Sequence, residues 1–295
     1  MNEMLKRAIS GFIYVGLIVT SILVHPLAFA FVFGILTYCA LHEFYKITYR
    51  PSDIEVPISL ASMGGLLLFV STFLFKSGFS SPLIFSYYAI FVIWMFIREL
   101  FFKKSNPIHN WAYFILGQVM VALPMSLLIF ILFVDGYQPM LLLSIFILTW
   151  LNDTGAYLIG VKFGRHRFFE HISPKKTWEG FFGGIFFSLT GGFILSLFIA
   201  ELSIFQWLAL CFITVLAATL GDLTESLLKR TLNIKDSGNL LPGHGGLLDR
   251  LDSMLLVSPF VLIFFLIFSG VSPSYISAVI EGNFFLKFFN VFNWS

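Results

Sequence analysis

The chain has 295 residues, 58% of them hydrophobic and only 12% charged, with a mean hydropathy of +0.91. A soluble domain carries about 25% charged residues, so a water-soluble globule is excluded: its surface could not be wetted. The net charge of +2 is too small to give any ground for a nucleic-acid partner.

Most of the surface must therefore face hydrocarbon. A bilayer core needs roughly 20 apolar residues per helix, and the chain offers a succession of such runs. They predict an all-α, polytopic integral membrane protein of about nine transmembrane helices. The first, at about 8–24, follows a basic start (MNEMLKR) like that of a signal peptide. No small-residue cleavage site follows, so a retained helix is expected. Further helices are expected at about 27–45, 55–75, 82–102, 110–133, 138–160, 180–200, 204–228 and 253–270. Pro26, Pro51, Pro82, Pro107 and Pro139 mark breaks or first helical residues. Pro124 and Pro259 fall inside spans and predict kinks. Cys39 and Cys211 lie in apolar runs and read as packing residues. The tail, 271–295, reads as an interfacial segment.

Charge tests this map. Nine crossings sort the polar breaks into two alternating sets. Lys6, Arg7, Lys46, Arg50, Arg98, Lys103, Lys104, Lys162, Arg165, Arg167, Lys175, Lys176, Lys229, Arg230, Lys235 and Arg250 fall in one set. Of the 18 lysines and arginines only Lys76 and Lys287 fall in the other. The positive-inside rule then places the N-terminus and the two longest polar segments, 161–179 and 229–252, in the cytoplasm. Residues 1–149 read as packing, lipid contact and dimer contact, and 150–270 as the chemically active region.

Four polar constellations stand in that region. Asp153 lies within the sixth span, where a carboxylate is costly enough to read as a site; Gly155 and Ala156 beside it would let a neighbouring helix approach. Ser173-Pro174-Lys175-Lys176-Thr177-Trp178-Glu179-Gly180 reads as a helix start. Its lysines suit a phosphate, and Glu179 suits pairing with a lysine or holding a metal. Asp222, Glu225, Ser226, Lys229 and Arg230 share one broad helical face. Finally, Lys235, Asp236, Gly238, His244, Gly245, Gly246, Asp249, Arg250 and Asp252 combine a glycine-rich turn with two carboxylates at i and i+3. With Asp222 these carboxylates make a hard-oxygen pocket of the type Mg²⁺ prefers. Together the groups read as a nucleotide-phosphate and metal site.

The run from Ser226-x-Leu228-Lys229-Arg230 through Lys235-Asp236-x-Gly238, Leu241-Pro242-x-His244-Gly245-Gly246-Leu247 and Asp249-Arg250-Leu251-Asp252 resembles the signature of the phosphatidate cytidylyltransferases, or CDP-diacylglycerol synthases. Asp153–Tyr157, Ser173–Gly180 and Gly221–Ser226 are similar to that family as well, so the resemblance covers about 150–260. It implies a multi-pass enzyme of a bacterial cell membrane that joins CTP to phosphatidic acid, giving CDP-diacylglycerol and pyrophosphate. It also implies Mg²⁺, assisted by a monovalent cation such as K⁺, and a homodimer. On this reading Asp222, Asp249 and Asp252 are the metal positions, and Lys229 and Arg230 join Asp222 and Asp249 as catalytic. Lys175, Lys176, Ser226, Lys235, Asp236, His244, Gly245, Gly246 and Arg250 bind substrate, with Asp153, Glu179 and Glu225 as further candidates. The competing readings are a CTP-dependent lipid-alcohol kinase and a cation-coupled transporter. The transporter would show broken helices in two related halves, and none is seen.

Overall fold

The computed structural model describes residues 3–50, 53–238 and 245–268, with side chains from residue 9 onward. Among the described residues the regular structure is all helix, joined by turns and loops with isolated bridges and no strand. Its helices are α1 (Glu3–Val24), α2 (Pro26–Thr48), α3 (Ile58–Lys76), α4 (Pro82–Phe101, with 3-10 turns at both ends), α5 (Pro107–Leu132), α6 (Pro139–Phe163), α7 (Trp178–Ser196), α8 (Ile204–Thr231) and α9 (Leu248–Phe268). Eight of these, α2 to α9, are long and apolar enough to cross a membrane; α1 offers a shorter apolar stretch, Ile9–Val24.

Local chemistry sets the helix starts. Pro26, Pro82, Pro107 and Pro139 each stand at a first helical position, where a missing N–H costs nothing. His25 and Asn106 cap their helices by accepting from Leu27 N and His109 N. Ser203 and Gln206 close a reciprocal capping box at α8. Pro51 lies outside the described residues.

Pro124 does not end α5, which runs through it from Pro107 to Leu132. It cannot donate a hydrogen bond, and its ring crowds the preceding turn. The turn just before it, Gln118–Ala122, widens into a π-helix. Gln118 there donates to Tyr45 Oη at 2.9 Å and to the Ala61 carbonyl at 3.0 Å, and it accepts from Tyr88 Oη at 3.2 Å. One buried amide thus ties α5 to α2, α3 and α4, where unsatisfied polar groups would be expensive.

Three boundaries differ from expectation, and all three bear on the site. α8 continues to Thr231 and α9 begins at Leu248, so the expected polar loop 229–252 shrinks to its middle part. Hydropathy under-reads these helix ends because their last turns are charged. α7 begins at Trp178 with Thr177 as its cap, accepting from Gly180 N at 3.2 Å. Lys175 and Lys176 therefore precede the helix rather than forming its first turn.

In the second half α6 packs along α7, α7 on α8 and α8 on α9. α9 also touches α2 and α5, and α1 lies against α2 and α6. The rim carries exposed Phe12, Phe31, Phe198 and Phe205, as hydrocarbon contact requires. The interfacial segment expected at 271–295 lies outside the described residues.

Candidate active site

The expected face of α8 forms, with one exception. Ser226 Oγ donates to Asp222 Oδ1 at 3.2 Å, one turn apart. Glu225 pairs with Lys229 one turn on. Lys229 Nζ also reaches Asp249 Oδ1, on α9, at 2.8 Å. Its side chain is 13% exposed, against 1% for Glu225 and 10% for Asp249. Lys229 is therefore an internal counter-ion bridging two helices. Arg230 leaves the face: its Nε reaches the Ile172 carbonyl and its Nη1 the Ile234 carbonyl, both at 3.4 Å. It braces the α6–α7 loop against the end of α8.

That loop delivers Lys176. Arg167 and Thr177 bridge, Phe168 N donates to the Lys176 carbonyl, and Trp178 N donates to the His166 carbonyl. The loop so folded carries Lys176 Nζ to 2.6 Å from Asp222 Oδ2. Lys175 is exposed. The expectation for Glu179 is corrected. Its carboxylate accepts from the backbone N–H groups of Arg165 and His166 and meets His166 Nδ1 at 2.6 Å. It holds the loop's entry, and among the described residues it pairs with no lysine.

α8 and α9 are brought together at Gly221. A methyl group there would lie 2.7 Å from the Asp252 carbonyl oxygen and 3.0 Å from that of Ser253. The missing side chain lets the two backbones touch and sets Asp222 beside the first turns of α9. Gly155 likewise faces the Gly183 carbonyl, closing α6 onto α7 as expected.

The result is a cavity of about 380 Å³ with a mixed lining. Asp153, Asp222, Asp249 and Asp252 line it with Arg250. So do Gly11, Tyr14 and Val15 of α1 and Phe146 and Trp150, which share α6 with Asp153. Tyr14 Oη donates to the Arg250 carbonyl at 3.3 Å. Asp252 lies close enough to Asp222 and Asp153 to feel both charges. Counting Glu225 through Lys229, five carboxylates meet three cations, Lys176, Lys229 and Arg250. A formal surplus of negative charge in an apolar protein is offset by a bound cation or by protonation of buried carboxylates.

Hard carboxylate oxygens around one cavity fit Mg²⁺ by donor chemistry. Among the described residues no three acidic, histidine or cysteine side chains form a ready-made metal cluster; Asp222 is paired with Lys176 and Asp249 with Lys229.

The fourth constellation divides. Asp249 is held from three sides: by Lys229, by Ser237 N at 3.0 Å and by Gly246 N at 2.8 Å. Gly245 adopts φ +85° next to the Asp249 carboxylate, a conformation glycine enters freely. Lys235 and Asp236 are exposed on the loop, and His244 lies outside the described residues. Glu43 of α2 was not foreseen. It is 7% exposed and accepts from Leu248 N at 2.9 Å and Ser237 Oγ at 3.2 Å. The signal was available, since a carboxylate within an apolar run is as costly at 43 as at 153.

A family model described as "Cytidylyltransferase family" matches residues 5–268. The chain is also similar to proteins named phosphatidate cytidylyltransferase. It is 48% identical to one from Staphylococcus epidermidis over 120 residues, covering 40% of this chain and 46% of the relative. It is 42% identical to one from Haemophilus influenzae over 137 residues, covering 44% and 48%. One from Staphylococcus aureus is 46% identical over 119 residues, covering 40% and 46%. The matched stretch spans about half the length of these curated relatives.

Proposed function

This chain belongs to the cytidylyltransferase family, and we propose that it transfers the cytidylyl group of CTP to phosphatidic acid, releasing pyrophosphate and leaving CDP-diacylglycerol in the membrane. The observation that carries the reading is the mixed lining of the cavity. Its carboxylates, with Lys176, Lys229 and Arg250 at hand, suit two phosphate-bearing substrates and a divalent cation. Its apolar residues, from α1 and α6, suit the glycerol and acyl part of a lipid.

A phosphate oxygen of phosphatidate attacks the α-phosphorus of CTP. A new P–O bond forms there while the bond to the bridging oxygen of the β-phosphate breaks. The nucleophile is already largely dianionic near neutrality, since a phosphomonoester's second pKa is about 6. No carboxylate lining the cavity has to remove a proton. The protein's task is placement and charge balance. Asp222, Asp249 and Asp252 would hold Mg²⁺, which supplies neutralisation of the phosphates when bound. Lys176, 26% exposed and salt-bridged to Asp222, is placed to exchange that partner for a phosphate oxygen. Lys229 stays between Glu225 and Asp249 and holds α8 to α9 beside the cavity. A monovalent cation and a homodimer belong to the same proposal, on the resemblance alone.

The test is direct. Purified protein with phosphatidate in detergent micelles receives CTP labelled at the α-phosphate. Label entering the lipid is the expected result. Label recovered as CDP, with the γ-phosphoryl group in the lipid, would make the chain a lipid kinase instead.

The site is further proposed to face the cytoplasm, on the charge alternation described above. In a Cys39→Ala, Cys211→Ala background, an impermeant maleimide applied to intact cells is expected to label Ser81→Cys and to spare Lys103→Cys. The reverse pattern would invert the topology.

A further inference from the structure

The α8–α9 connection leads into the first turn of α9, which carries Asp249, yet it borrows its anchor from the other half of the chain. Glu43 Oε2 accepts from Leu248 N, at the first residue of α9, and from Ser237 Oγ, at the far side of the connection. Those partners lie 205 and 194 residues from it. A helix's first N–H groups need acceptors. Here the first of them, Leu248 N, is satisfied by Glu43, while Gly246 N, two residues before the helix, donates to Asp249.

Two glycines complete the fit. A methyl group on Gly238 would lie 2.6 Å from Glu43 Oε1, and one on Gly246 would lie 2.6 Å from Oε2. The connection closes around this carboxylate from both ends. Glu43 Oε1 is buried and, among the described residues, accepts no hydrogen bond. Burying a carboxylate this way is expensive, and ordinary helix packing would be served better by an apolar residue.

We propose that Glu43 is a positioning residue for the cytidylyl transfer. It pins Ser237 and Leu248, and through their shared contacts it sets where the Asp249 carboxylate stands. Ser237 is the hinge of this coupling: its hydroxyl goes to Glu43 while its N–H goes to Asp249. The inference rests on the function proposed above, and its test separates the two.

Glu43→Ala, Glu43→Gln and Glu43→Asp are to be purified in detergent. Each is measured for kcat, for KM toward CTP, and for amide hydrogen exchange at Ser237 and Leu248. Glutamine keeps one acceptor oxygen of the same reach, so Glu43→Gln is expected to stay within about fivefold of the native kcat. Glu43→Ala is expected to lose roughly a hundredfold in kcat, the effect of misplacing a group by about 1 Å, with KM for CTP within about threefold. Exchange at Leu248 and Ser237 rises in Glu43→Ala and stays near native in Glu43→Gln. Should Glu43→Ala fail to fold, Glu43→Asp decides, because it keeps the charge and shortens the reach. Its kcat is expected to fall at least about tenfold, with the same exchange signature. A native kcat and native exchange in the variant that decides would overturn the proposal, as would a Glu43→Gln variant as impaired as Glu43→Ala. Native protein without cytidylyl transfer would sink the functional reading, while the exchange arm would still report whether Glu43 holds Ser237 and Leu248.

Discussion

Asp249→Asn is expected to reduce cytidylyl transfer by about a thousandfold, in line with removing a preorganised electrostatic group from a water-poor site. The variant is expected to remain folded and membrane-inserted. Asp249 makes three contacts that matter: Lys229 at 2.8 Å, Ser237 N at 3.0 Å and Gly246 N at 2.8 Å. Asparagine keeps one oxygen, enough to hold part of this arrangement. It loses the charge that balances Lys229 and that would hold a metal. Lys229 retains Glu225, so no cation is stranded and the bundle is spared. Activity would be followed by label transfer from CTP, and folding by gel filtration in detergent. Near-native turnover would remove Asp249 from the site. Loss of the folded peak would assign it to structure instead.

The second large effect is expected at Gly221. Gly221→Leu should abolish measurable turnover and lower stability by roughly 1–3 kcal/mol, the usual cost of overpacking a tight contact. A methyl group alone would lie 2.7 Å from the Asp252 carbonyl oxygen, and a backbone atom cannot rotate away as a side chain can. α8 must therefore move off α9. The motion separates Asp222 from Asp252 and Lys229 from Asp249, and a displacement of about 1 Å is worth about a hundredfold in rate. Gly221→Ala should fall between, with a smaller loss of both. The readouts are turnover and the thermal midpoint in detergent. A Gly221→Leu protein with native activity would show that the α8–α9 approach does not set the site.

Both predictions concern groups the sequence could name but not arrange. The helical spans were legible because hydrophobic runs are local: each observed helix overlaps its expected span, and prolines mark several of the starts. The ends of α8 and α9 were misplaced inward because their terminal turns are charged, and hydropathy treats a charged helical turn as loop. Asp222, Asp249, Asp252 and Asp153 were also legible, since a carboxylate in an apolar chain demands a reason, and the structure gathers all four around one cavity.

What the sequence could not yield is partnership. Arg230 and Glu179 belong to the same motifs as the cavity residues, yet they turn to the backbone of the α6–α7 loop. Glu43 belongs to none of those motifs, yet it caps the helix that carries Asp249. Composition and periodicity determined that this chain spans a membrane and where it keeps its polar groups, because solvent partition acts on each segment separately. Which polar group meets which was decided only by the packing of α2, α8 and α9 and by the α6–α7 loop, because ion pairs and hydrogen bonds act over a few ångströms between residues that the chain holds up to 205 positions apart.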